Sequence, residues 1–82
     1  MNKKKLFARI VNNQKNVQFN DFVTIVEAFR FYRTRGEGSH GIYRNANVAE
    51  FINLQNEKGK AKPYQIKQFL ALVEKYNLNM ED

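Results

Sequence analysis

The sequence predicts a small α+β fold, a three-stranded antiparallel sheet with helices packed on one face. Three observations lead there. Eighty-two residues make one domain, with a core too small to enclose a deep pocket or a large cofactor. Helix-period apolar stripes flank the chain, at 22–29 and 66–76. Between them, short aromatic and β-branched runs are broken by glycine-rich and polar turns, the mark of hairpin-connected strands.

The first twelve residues place Leu6, Phe7, Ile10 and Val11 at helical spacing among lysines, then run into a polar Asn-Asn-Gln-Lys-Asn stretch. They read as an amphipathic helix that docks loosely, followed by a linker. This divides the domain, 1–82, into an N-terminal helix and linker at 1–16 and a core fold at 17–78. Asn20 is expected to cap the next helix, with Asp21 beside its positive dipole end. Phe22, Ile25, Val26 and Phe29 then fall at i, i+3, i+4 and i+7, one buried stripe.

From Phe31 to Arg35 the helical spacing is lost, and Gly36-Glu37-Gly38 supplies a turn into a second strand from Ser39 to Arg44. Glu50–Gln55 reads as the third strand. A basic loop, Asn56 to Lys62, precedes Pro63, well suited to the first turn of a helix. Ile66, Phe69, Leu70, Val73 and Tyr76 form that helix's apolar face, and Asn77 is an acceptable stop.

Charge points to polyanions. Fourteen Lys and Arg against eight Asp and Glu give a net charge of +6 and a pI near 9.8, so nucleic acid is the first partner to consider. No cysteine is present, so packing alone must hold the fold, as suits a reducing compartment. No signal h-region or membrane span is seen, and a cytoplasmic protein without a membrane partner is expected.

Inventory sets several chemistries aside. The acids Asp21, Glu27, Glu37, Glu50, Glu57, Glu74, Glu81 and Asp82 are scattered, unlike the clustered carboxylates of a metal-dependent nuclease. One histidine and no cysteine make no zinc site, and Gly36-Glu37-Gly38 is too short for a phosphate cradle. No metal and no cofactor are therefore expected.

Metal-free RNA cleavage fits what remains. A ribose 2′-hydroxyl attacks the adjacent phosphorus, so a base must take its proton, an acid should protonate the leaving oxygen, and cations should meet the phosphate. His40 can serve as base or acid, with Arg33, Arg35 or Arg44 brought near by hairpin pairing. The second proton transfer falls to water, to Tyr43 or Tyr64, or to no group at all, so the enzyme should be slow. Ser39 neighbours His40, and on a strand the two would face opposite ways, which argues against a Ser–His nucleophile pair. Ser39 stands instead with Arg33, Arg35, Arg44, Lys60 and Lys62 among the candidate RNA contacts, and Gly36 and Gly38 serve the turn that presents His40.

Plainer readings stand beside these. A lone histidine on a strand is commonly an ordinary surface residue, the arginines also fit a solvated sheet face, and Lys58, Lys60 and Lys62 also fit a soluble loop. Tyr32 and Tyr43 suit packing more readily than base stacking.

Gly38-Ser39-His40-x-Ile42-Tyr43-Arg44, then Asn53-Leu54-Gln55, then Gly59-Lys60-Ala61-Lys62-Pro63-Tyr64-Gln65-Ile66 resembles the HicA family of bacterial and archaeal toxins. The resemblance runs from Phe19 to Tyr76. It implies a fold like the double-stranded RNA-binding domain, helix–three strands–helix, here with an extra N-terminal helix. It also implies a messenger RNA interferase within a type II toxin–antitoxin system, inhibited by a HicB-type antitoxin that covers the active site. The family's catalytic histidine falls on His40 and the glycine of its turn on Gly38. Many members carry a second histidine where this chain has Gly41, which would deprive the site of an auxiliary imidazole.

Strand parity adds a further expectation. His40 and Ile42 share one face, Gly41 and Tyr43 the other. With His40 toward solvent and RNA, Ile42 is left for an antitoxin and Tyr43 packs toward the helices. A non-catalytic RNA-binding module is the alternative function, and a domain that binds an acidic protein is a third.

Overall fold

A computed structural model describes residues 2–80. Its elements run α1 (Lys3–Asn12), α2 (Phe19–Ala28), β1 (Tyr32–Arg35), β2 (His40–Arg44), β3 (Ile52–Glu57), β4 (Lys60–Ala61) and α3 (Pro63–Lys75). The antiparallel sheet has the order β1-β2-β3-β4, so it holds four strands rather than the expected three. The added strand lies in the segment read as a basic loop. Lys58 and Gly59, at φ 52 and 87, make a two-residue turn that folds Lys60 back against Glu57.

The same short strand corrects the start of α2. Val17 accepts from the Ala61 amide, and the Phe19 amide donates to Gly59, so the chain leaving α1 is tied to β4 and turns helical at Phe19. Gln18 holds the cap position, without a side-chain capping bond, and Asn20 lies inside the helix, where its carbonyl accepts from Thr24 Oγ1 at 2.9 Å. Asp21 remains in the first turn. The end of α2 has a defined geometry. Arg30 adopts φ 71 while its amide and that of Phe31 reach back to Glu27 and Val26, closing the helix and turning Phe31 into the core.

Phe22, Ile25, Val26 and Phe29 are buried as their spacing predicts, with Ile66 and Phe69 of α3 opposite them. Phe69 makes edge contacts with the rings of Phe22, Phe29 and Phe31 at 5.5–5.6 Å, a cluster beneath the sheet. The first helix does not dock loosely. Leu6 and Ile10 are buried in the same core, and the Phe7 ring lies 5.1 Å from that of Phe29. Leu72, outside the face expected for α3, is buried as well, whereas Leu70, Val73 and Tyr76 are half-buried. Asn77 ends α3 at φ 51, with Leu78 donating to Val73.

Helices cover one face of the sheet. Gly41 and Tyr43 of β2 and Ile52 and Leu54 of β3 point to them, while alternate residues face outward. The third strand begins two residues later than expected because the segment before it is held elsewhere. Buried Asn45 donates to the Phe29 carbonyl at 2.8 Å and accepts from the Asn47 amide, shaping the β2–β3 connection. Glu50 is drawn to the end of α3, accepting from Lys75 Nζ at 2.7 Å and from the Tyr76 hydroxyl. No helix among the described residues is long and apolar enough to cross a membrane.

The Glu50 cluster has a signature in pH. Hydrogen bonds from Lys75 and then Tyr76 hold the Glu50 carboxyl at about 2, and the same contact raises Lys75. A depressed carboxylate stabilises the fold above its unfolded pKa, and that contribution fades as pH falls. The Tm difference between wild type and Glu50→Gln is therefore expected to be full at neutral pH, to shrink from about pH 4.5 downward, and to vanish near pH 2. A difference that stays constant across this range in thermal melts would contradict the contact.

Candidate active site

His40 opens β2, and the hairpin before it fixes where its ring goes. Gly36 turns the chain at φ 127, and a Cβ there would sit 2.2 Å from the His40 carbonyl oxygen and 2.7 Å from Gly41 Cα. Only a glycine lets the turn close against β2. Gly38 is different, with φ 57 but nothing within 4 Å of an added Cβ. The His40 amide then donates to the Glu37 carbonyl, completing the turn.

The outward parity of His40 follows from its neighbours. Tyr43 is buried and Ile42 half-buried, while His40 and Arg44 are exposed, as strand parity predicts. The pairing His40↔Gln55 and Ile42↔Asn53 brings two amides onto the same open face. These side chains, with Arg35 and Gly36 from the β1 side and Tyr64 and Gln65 from the start of α3, line a groove of ≈ 370 Å³. It is shallow and open, suited to an extended polymer rather than an enclosed small molecule.

Its wall depends on a substitution of side chain for strand. β4 ends at Ala61, so the Gln55 amide, which points away from β2, has no backbone carbonyl to meet. Gln65 Oε1 accepts from it at 2.9 Å, and Gln65 is buried. That bond moors the first turn of α3 beside His40's partner strand and carries Tyr64 to the groove rim, where it is 59% exposed.

The arginines part company. A β-bulge between Arg33 and Arg35 shifts the register of β1, so Arg35 pairs with Ile42 on the open face. Arg33 pairs with Tyr43, so its side chain leaves the strand toward the helix side and, though exposed, does not line the groove. It serves the hairpin instead, donating from Nη2 to the His40 carbonyl at 2.9 Å. Arg44 shares the face of His40 but lies four residues along β2, about 13 Å away at ~3.3 Å per residue. Lys60 and Lys62 stand outside the groove, and Lys62 is 3.8 Å from Glu57 and 5.9 Å from the Tyr64 ring. Of the candidate cations, Arg35 alone lines the groove with His40.

Ser39 departs from its expected orientation. It precedes the strand, so alternation does not apply, and its Oγ lies 3.4 Å from His40 Nδ1. At that length the hydroxyl steadies the ring rather than forming an activated nucleophile. Tyr43 cannot share in proton transfer at His40, because it faces the helices. Burial first, and then Glu27, raise its phenol above its ordinary value, against a smaller opposite pull from Arg33. Gly41 also faces inward, and a Cβ there would lie 3.0 Å from Tyr43 Cε1 and 3.2 Å from Arg33 Nε. A side chain at 41 would enter the helix side, so glycine there does not deprive the open face of an imidazole. Asn53, Gln55 and Gln65 were missed in the sequence; period-2 parity of β3 could have found the first two, but nothing local signals the third.

Among the described residues, no three of His, Cys, Asp and Glu gather where they could hold a metal ion. In comparisons with known proteins, no family model, no curated protein and no solved structure matches this chain.

Three substitutions test how the groove is held. Gly36→Ala should cost roughly 2 kcal/mol or more in denaturant unfolding and shift the His40 ring resonances, whereas Gly38→Ala should cost only about 1 kcal/mol. Gln65→Leu should cost about 1–3 kcal/mol and speed hydrogen exchange of the Gln55 amide above that of its neighbours in β3.

Proposed function

We propose that this protein is a metal-independent endoribonuclease, a messenger RNA interferase toxin of the HicA type, with His40 as general acid/base. The observation that carries the reading is the exposed imidazole on an open groove, with a guanidinium, Arg35, on the same rim. An accessible acid/base group beside a cation is what cleavage by the ribose 2′-hydroxyl requires.

In this mechanism His40 removes the 2′-hydroxyl proton as that oxygen bonds to phosphorus. Arg35 meets the charge that builds on the non-bridging oxygens. The bond from phosphorus to the 5′-oxygen breaks, and that oxygen takes a proton from water or from Tyr64 at the rim, leaving a 2′,3′-cyclic phosphate and a 5′-hydroxyl. Asn53 and Gln55 offer amide donors and acceptors to the ribose or the bases. Ser39 steadies the imidazole, and Gly36 and Gly38 shape the turn that presents it.

The sequence resemblance supports the rest of the reading: a fold of the double-stranded RNA-binding-domain type with an added N-terminal helix, action in the cytoplasm, and restraint by a HicB-type antitoxin. Ile42, half-buried in the groove, gives such an antitoxin an apolar contact beside His40. A non-catalytic RNA-binding module is the second reading, favoured by the four cations Arg35, Arg44, Lys60 and Lys62, which would serve binding without chemistry.

Incubation of RNA with the purified protein, with and without chelator, separates the two. Cleavage should persist in chelator and fall about 10²- to 10⁴-fold in His40→Ala, while RNA binding is retained. Cleavage unchanged in the variant would refute His40 catalysis, and RNA left intact by the wild type would leave the binding module.

A further inference from the structure

The open face continues beyond the groove. Tyr32 is the β1 partner of Arg44, and Phe51, the residue just before β3, lies beside Arg44. Tyr32, Arg44 and Phe51 therefore form a row over β1, β2 and the approach to β3, about 10 Å wide at a strand spacing of ~4.8 Å. The row is exposed, with Tyr32 at 52% and Phe51 at 49%, and the Arg44 guanidinium rests 5.2 Å from the centre of the Phe51 ring. Both rings stand outside the core that buries Phe22, Phe29, Phe31 and Phe69.

We propose that this row is a stacking platform for unpaired bases, which makes the protein select single-stranded RNA and holds the strand a few nucleotides from His40. The inference rests on the ribonuclease reading for its link to cleavage, while the platform itself rests on the row.

Chemistry favours a nucleic acid over a protein as the occupant. Protein-binding patches are closed and apolar at their centre. Here an arginine separates two rings, Asn53 and Gln55 continue the face, and half-buried Ile42 supplies its aliphatic side chain. The face carries the cations Arg35, Arg44, Lys60 and Lys62, and the acid Glu57 lies against Lys62. Alternating rings and guanidinium groups suit a strand whose bases stack while its phosphates find positive charge. A four-stranded sheet with helices behind it and aromatics in front is also a known arrangement for stacking bases splayed out of a single strand. A duplex hides its base faces and gains nothing from Phe51 or Tyr32. The Arg44 guanidinium is itself a stacking plane, so an entering base can lie between it and the ring or move it toward the neighbouring phosphate.

The test uses 2′-O-methyl RNA, which the 2′-hydroxyl route cannot cleave, so binding is read apart from catalysis. Titrations compare a single-stranded oligonucleotide, its duplex and an abasic strand of equal length, against wild type, Phe51→Ala, Phe51→Trp and Tyr32→Ala, with circular dichroism to confirm each fold. Phe51→Ala should weaken the single strand roughly 5- to 100-fold, Phe51→Trp should restore it, and the duplex and abasic strand should be nearly indifferent to both. Equal loss on the abasic strand would overturn the proposal, since contact would then be to the backbone. So would unchanged binding, which would leave the row to a protein partner. If Phe51→Ala weakens binding as expected while RNA cleavage is the same in wild type and His40→Ala, His40 catalysis fails and the platform stands.

Discussion

Burial of Tyr43 is the constraint on which the molecule's open face depends. Its ring sits among the helices, and the alternation of a strand then leaves His40, Ile42 and Arg44 on the other side. A slip of one residue in β2 would expose that ring and drive an imidazole and a guanidinium into the core, each at a cost of several kcal/mol. The pairing Tyr43↔Ile52 makes the slip doubly unfavourable, because Ile52 and Leu54 of β3 are buried on the same side. Stability of the core and presentation of the groove are one choice of register.

The inward side of β2 also shows what braces the hairpin that carries His40. Gly41 leaves room that the Arg33 side chain occupies, and from there Arg33 holds the His40 carbonyl. A cation that counts toward the basic charge of the chain is thus spent on hairpin geometry, and Lys62 faces Glu57. The positive charge near His40 therefore comes from two arginines in different roles, Arg35 on the groove rim and Arg33 held against the hairpin backbone.

Periodic burial made the large elements legible. Phe22, Ile25, Val26 and Phe29 announced α2, Pro63 announced α3, and the parity of residues 40–43 gave the face of the histidine. What escaped was set by contacts between distant residues. Asn20 has the chemistry of a cap, but the pairing of residues 17–19 with 59–61 starts the helix before it. The two residues of β4 are too short to show alternation. Arg33 and Arg35 look equivalent in the sequence, and a bulge between them sends one to each face. Gln65 reads as a surface residue of a helix until β4 proves too short to serve the Gln55 amide. Local pattern reveals which residues are apolar and where turns fall; a vacancy left by a neighbouring strand is invisible to it.

That short strand matters at the margin of the sheet as well. An exposed edge is a template on which another chain can add a strand, and a sheet with unpaired margins is open to it. Here one margin is only two residues long and is flanked by Gln18 and Gln65, which occupy positions an incoming strand would need. The other is four residues long, bent by its bulge and carries Arg33 and Arg35. Both margins are therefore poor seeds for edge-to-edge aggregation, and the chain can keep its face uncovered without stacking into fibres.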